Sequence, residues 1–232
     1  MLKIALPDGS ERLYNAPVTA AQIAADIGSG LAKAAIAAVV NGENWDINRV
    51  INVDSEIRLI TFKDDYSLEL IRHDCAHILA EAVLELFPET QVTIGPAIET
   101  GFYYDFYRKS PFSTDDLATI EQRMHEIVDR DEEITRGEWS REEAIRFYKD
   151  RNEPFKIELV DAIPEKETVS YYQQGNFIDL CRGPHMVSTK KVGHAFKLMK
   201  VAGAYWRGDS NNPMLQRIYG TAFASQADLQ AY

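Results

Sequence analysis

Residues 67–87, SLELIRHDCAHILAEAVLELF, read as one long helix, and Pro88 stops it. His73 and His77 stand four apart on it, so both imidazoles share one face, a turn apart. Cys75 lies between them, about 200° around the helix from His73, and reads as core. The segment before the helix, Lys63 to Tyr66, is polar and reads as a linker between two modules.

On the N-terminal side, Leu2, Ile4 and Leu6 alternate as in a half-buried strand. Pro7-Asp8-Gly9-Ser10 turns the chain, and Leu13-Tyr14 can begin the return strand. Thr19 can cap a short helix ending at Gly28. Residues 34–40 read as a buried strand closed by Asn41-Gly42, a strong hairpin signal, and Ile57, Leu59 and Thr61 alternate in a last strand. The pattern predicts a small α+β sheet domain.

Beyond the long helix, strands are expected at 91–94 and 102–107, and Thr114 can cap a helix to about Asp131. Ser140 and Glu143 make a capping box for another helix. Strands are expected at 155–160, 168–173, 176–180, 194–200, 203–207 and 214–223, with Gly175-Asn176 as a turn. The second module is therefore also α+β.

The longest apolar stretch, Leu31 to Val40, is too short to span a bilayer, and the N-terminus lacks the apolar core of a secretory signal. Two cysteines do not make a disulfide framework, so a reducing cytoplasm is the default compartment. A net charge of −11 argues against nonspecific nucleic-acid binding as the main task. The charge is uneven: residues 63–181 carry −14, whereas 182–217 carry +6. A basic strip on an acidic body can guide a polyanion to one place. It holds Lys190, Lys191, Lys197, Lys200, Arg207 and Arg217, interleaved with Phe196, Tyr205 and Trp206. That mixture suits phosphate and base contacts, and equally a solvated hairpin with core aromatics.

Cys181 and His185 form a second pair four apart, in a loop turned by Gly183-Pro184. A helical pair and a loop pair converging on one point would make a zinc site or a water-activating site. Each pair alone is also a common packed or solvated pattern, and spacing leaves both readings open. His125 sits on a charged helix and reads as exposed; His194 has no clear assignment.

Five stretches carry a family resemblance: Arg72-His73-Asp74-Cys75-Ala76-His77, Ile94-Gly95-Pro96, Gly101-Phe102-Tyr103-Tyr104-Asp105, Cys181-Arg182-Gly183-Pro184-His185, and the run from Phe196 to Asp209. In order along the whole chain, they resemble bacterial threonyl-tRNA synthetase. The resemblance implies a ubiquitin-like (β-grasp) TGS domain over 1–62, an α+β editing domain with an antiparallel sheet over 63–224, and the start of a linker helix over 225–232. It also implies a fragment: with the aminoacylation core absent, the chain is expected neither to activate threonine nor to use ATP, and ATP and zinc would belong to that core.

The implied function is proofreading. A threonine site cannot strongly reject serine, because a missing methyl group is worth only about 1–3 kcal/mol. A second site then hydrolyses the ester of Ser-tRNA(Thr) and excludes threonine by size. On this resemblance His73, His77, Lys156, Cys181 and His185 are catalytic, and Tyr104, Asp179 and Gly95 line the substrate pocket. Lys197, Lys200 and Arg207 are expected to bind tRNA. No metal is expected for editing, although alanyl-type relatives hold zinc in the matching three-His, one-Cys set. The expected partner is the tRNA(Thr) acceptor end with serine, the parent is expected to be a cytoplasmic homodimer, and no membrane is involved. The competing readings are a noncatalytic RNA-binding module and a zinc hydrolase of small esters.

Overall fold

A computed structural model describes residues 1–232, which divide into two compact units. The first is Met1–Leu70 with Gly183–Val187; the second is Ile71–Arg182 with Ser188–Tyr232.

The first unit contains β1 (Leu2–Ala5), β2 (Glu11–Tyr14), β3 (Val18–Thr19), α1 (Ala20–Ile27), α2 (Ser29–Ala34), β4 (Ala35–Val40), β5 (Glu43–Asp46), β6 (Val50–Ile51) and β7 (Ser55–Thr61). Its main sheet runs β2-β1-β7-β4-β5, with β1 and β7 parallel and the other pairs antiparallel. Thr19 caps α1 through a capping box with Gln22. Ile23 and Ala24 of α1 share one core with Leu2, Ile4, Ala38, Val40 and Ile57. Asn41 and Gly42 both take positive φ, 50° and 86°, as a two-residue hairpin turn requires. A sheet closed over one helix in this order is a β-grasp fold.

The helix α3 (Tyr66–Leu86) leads into the second unit. There follow β8 (Gln91–Val92), β9 (Ala97–Ile98), β10 (Gly101–Tyr107), α4 (Thr114–Arg130), β11 (Ile134–Trp139), α5 (Arg141–Asp150), α6 (Pro154–Ala162), β12 (Val169–Gln174), β13 (Phe177–Leu180), β14 (Phe196–Tyr205), β15 (Met214–Ala222) and α7 (Gln226–Ala231). One antiparallel sheet runs β14-β15-β10-β8 and a second runs β11-β12-β13. The chain is thus α+β throughout. No helix is long and apolar enough to cross a membrane.

Several local expectations are corrected. Residues 155–160 are helical, not a strand: Pro154 at the first helical position pre-sets φ, and Phe155, Lys156 and Val160 are the buried side chains. The cap of α4 is Ser113, not Thr114, because Asp116 three residues on completes its capping box. The two strands expected at 194–200 and 203–207 are one strand, irregular between Leu198 and Lys200. The strand β11 carried no clear apolar alternation, and its neighbour β12 supplies its hydrogen bonds.

Candidate functional site

From Ile71 to Val83 only His73 is not fully buried, although α3 there also carries Arg72, Asp74, His77 and Glu81. Buried polar groups need partners. Arg72 donates to the carbonyls of Ala222 and Glu99, and Gln174 donates to Glu81 Oε2 at 2.7 Å. The two histidines face a different set of groups.

The strand β13 presents Phe177 and Asp179 on its buried face and hands the chain on to Cys181. His73 Nε2 lies 3.1 Å from Cys181 Sγ, and the two imidazole centroids are 5.1 Å apart. His77 meets the Phe177 ring edge-on and brings Nε2 to 3.9 Å from Asp179 Oδ2. Asp179 in turn accepts from the Tyr104 hydroxyl at 2.7 Å and from the Lys156 ammonium on its other oxygen. Lys156 also donates to the Tyr104 oxygen at 3.2 Å. His73, His77, Cys181, Asp179, Tyr104 and Lys156 therefore line up as one polar chain of contacts, joined between His73 and His77 by their rings and carried by α3, α6, β10, β13 and the residue that follows β13.

Lys156 is 1% exposed and Asp179 3% exposed. A buried ion pair persists only if its geometry offsets the cost of desolvation, and removing one partner costs about 3–5 kcal/mol. Burial and the neighbouring Asp179 push the Tyr104 hydroxyl well above the ordinary tyrosine range, so it remains a neutral donor. Gly95 packs against that ring: a Cβ there would stand 2.1 Å from Tyr104 Cδ2. Beside Cys181, a cavity of about 220 Å³ is lined by Ile94, Leu159, Ile163, Thr168, Ser170, Leu180 and Arg182.

His73, His77 and Cys181 bring two ring nitrogens and a sulfur to within 4.8 Å of one another. These are donors that zinc accepts. His185 is buried on the segment 183–187, which belongs to the first unit, and its backbone N–H donates to Asp46 Oδ1 at 2.8 Å.

Two carboxyls near the polar chain escaped the sequence reading. Burial, with Asp179 nearby, raises Glu153 to about 7 against the pull of Lys156, and burial raises Glu81 to about 8. A helix over 154–162 would have drawn attention to Glu153 at its N-terminal boundary, three residues before Lys156; the strand expectation hid that spacing. Cys75 is buried in the core as expected, whereas His125 is half-buried rather than exposed.

The basic strip is arranged differently from the catalytic candidates. Lys197 pairs with Glu121 at 2.7 Å, Lys200 lies over the Tyr219 ring, and Arg207 donates to the Glu158 carbonyl. Phe196 and Trp206 are buried, and Trp206 donates to Glu158 at 2.9 Å. Of the three aromatics in the strip only Tyr205 is exposed. The strip therefore presents charge more than a stacking platform.

Residues 2–61 match the TGS domain, and residues 169–219 match the threonyl and alanyl tRNA synthetase second additional domain. The chain thus joins a TGS domain to a domain of the threonyl/alanyl-synthetase type. Along its full length it is 59% identical to a threonine–tRNA ligase of Paramagnetospirillum magneticum, 58% to one of Rhodospirillum rubrum and 57% to one of Granulibacter bethesdensis. It spans 36% of the length of each of these relatives.

Proposed function

We propose that this chain is an editing module that hydrolyses the ester of Ser-tRNA(Thr). The observation that carries the reading is the row of polar contacts from Cys181 through His73 and His77 to Asp179, Lys156 and Tyr104. Pure RNA binding does not require a buried lysine and two histidines gathered within 4.8 Å of a thiol.

In this reading His73 contacts the terminal ribose hydroxyls of the tRNA. Cys181 and His185 position the attacking water, the roles that the resemblance implies for them. Asp179 holds the seryl ammonium, and Lys156 stabilises the negative charge that develops on the ester oxygen. Both Asp179 oxygens already have partners, so the incoming ammonium shares the carboxylate with Lys156 and Tyr104. Tyr104, backed by Gly95, closes one side of the pocket, and water attacks the ester directly, without an acyl-cysteine intermediate.

Hydrolysis by this route needs no metal. If zinc binds, His73, His77 and Cys181 would hold it, and it would supply a polarised water. Zinc analysis of the purified protein checks this: a tightly held zinc lost together with activity overturns it.

The names of the relatives, threonine–tRNA ligases, favour tRNA(Thr) as partner; a cytoplasmic setting and a homodimeric parent enter this reading only through the family resemblance. The deciding experiment compares release of serine from Ser-tRNA(Thr) with release of threonine from Thr-tRNA(Thr). Serine is expected to be released preferentially, and His73→Ala is expected to slow release by on the order of 10²-fold or more. Binding of tRNA without serine release would support a noncatalytic module instead.

A further inference from the structure

Away from the polar chain, a second pair of histidines meets in the second unit. His125 stands on α4, one turn from Glu121 on one side and from Asp129 on the other; His194 lies two residues before β14. Their Nδ1 atoms face each other at 2.9 Å. His194 Nε2 lies 3.1 Å from Asp129 Oδ1. His125 stacks on the buried ring of Phe196, with centroids 4.4 Å apart and planes 21° apart. Packing holds one ring and a carboxylate orients the other.

Two nitrogens at that distance share a proton: one donates and the other accepts. With Nε2–H of His194 given to Asp129, His194 Nδ1 carries the lone pair and His125 Nδ1 the shared proton; moving that proton to His125 Nε2 would free a second lone pair facing the first. We propose that this pair is a binding site for a late first-row divalent ion, Ni²⁺ or Cu²⁺, which displaces the shared proton from His125 Nδ1 to its Nε2. The inference is independent of the proposed hydrolysis.

Three features support it. The first is bite. A metal about 2.05 Å from each nitrogen would subtend about 90° across the 2.9 Å separation. That is the angle of adjacent ligands in square or octahedral coordination, which Cu²⁺ and Ni²⁺ prefer, whereas tetrahedral zinc asks for a separation of about 3.3 Å. The second is the outer shell. A ligating imidazole usually donates its other N–H to a carboxylate, and His194 already does so through Asp129. The third is charge. The groups facing the pair are Glu121, Asp129 and Lys197, and Lys197 is neutralised by its 2.7 Å pair with Glu121. His194 is about half exposed, which leaves the remaining coordination positions open to water.

The ion competes with a proton, so binding weakens as pH falls. Burial and the facing His194 disfavour the doubly protonated, cationic form of His125, which assists the metal near neutral pH.

The test is calorimetric titration of the full chain with Ni²⁺ alone. To separate the thiol-containing cluster, the titration is repeated in a His73→Gln/Cys181→Ser background. That background is expected to retain one binding event. Adding His194→Gln is expected to weaken the event at least ten-fold, and adding Asp129→Asn, which leaves both rings in place, by about 10–100-fold. Unchanged melting curves for these two surface variants exclude unfolding as the cause. Absence of the event in the background, or its persistence at full strength after His194→Gln or Asp129→Asn, overturns the proposal.

Discussion

Gly95 illustrates a position fixed by contact rather than by backbone conformation. Its missing Cβ would lie 2.1 Å from the Tyr104 ring, which is fully buried and cannot yield. Gly95→Ala is therefore expected to cost about 1–3 kcal/mol of stability and to tilt Tyr104 away from Asp179. A melting curve and the serine-release rate would show both losses together. At Glu81 the expectation concerns pH. Its carboxyl is raised from the ordinary 4.5 to about 8 in the fold, chiefly by burial. A raised carboxyl favours the folded state at low pH, where folded and unfolded chains are both protonated. That contribution is lost as pH rises from about 4.5 toward about 8, because the unfolded chain ionises first. Glu81→Gln mimics the protonated form, so chemical denaturation across that range should show a shallower decline than in the parent. His73, His77, Cys181 and His185 were legible from spacing alone as candidates. Glu81 and Glu153 were not, because burial by distant segments is what perturbs them and no local pattern encodes it.

Among the elements, α5 is the simplest case of sequence dictating a boundary. Ser140 accepts from the Glu143 N–H and Glu143 accepts from the Ser140 N–H, so two of the otherwise unpaired helix-end donors are satisfied. Ser140→Ala should lower thermal stability by about 1 kcal/mol without changing the position of the helix. The helix α6 was misread for a physical reason. Phe155, Ile157 and Leu159 alternate in a period-2 pattern that suits a strand. The structure instead buries Phe155 with Trp206 and Leu215 and directs Lys156 inward to Asp179, so tertiary contacts outvote the local alternation. The hairpin turn at Asn41-Gly42 and the cap at Thr19 were legible because they depend on a few adjacent residues. The strand β11 was not, since Ile134, Arg136 and Glu138 share one face without common polarity and only pairing with β12 defines it.

For the molecule as a whole, charge asymmetry is the property that should govern encounter with RNA. If tRNA tracks the basic strip, Lys200→Ala should weaken binding and reduce the salt dependence by about one phosphate contact. Lys197→Ala should do less, since that ammonium is already shared with Glu121. Binding titrations at several salt concentrations distinguish the two, and equal salt slopes would move the tRNA path elsewhere. A different consequence follows from strand order. In the first unit β7 is the last strand of the main sheet in the chain, yet it lies between β1 and β4; in the second unit β15 is last, yet it lies between β14 and β10. During synthesis each sheet therefore waits for its final strand, with the flanking strands holding unpaired edges until it emerges. Release of the chain before Met214 would leave β10 and β14 without their shared neighbour, and such open edges invite association with other chains. Interrupting synthesis ahead of β15 thus yields an aggregation-prone product rather than a slightly shorter domain.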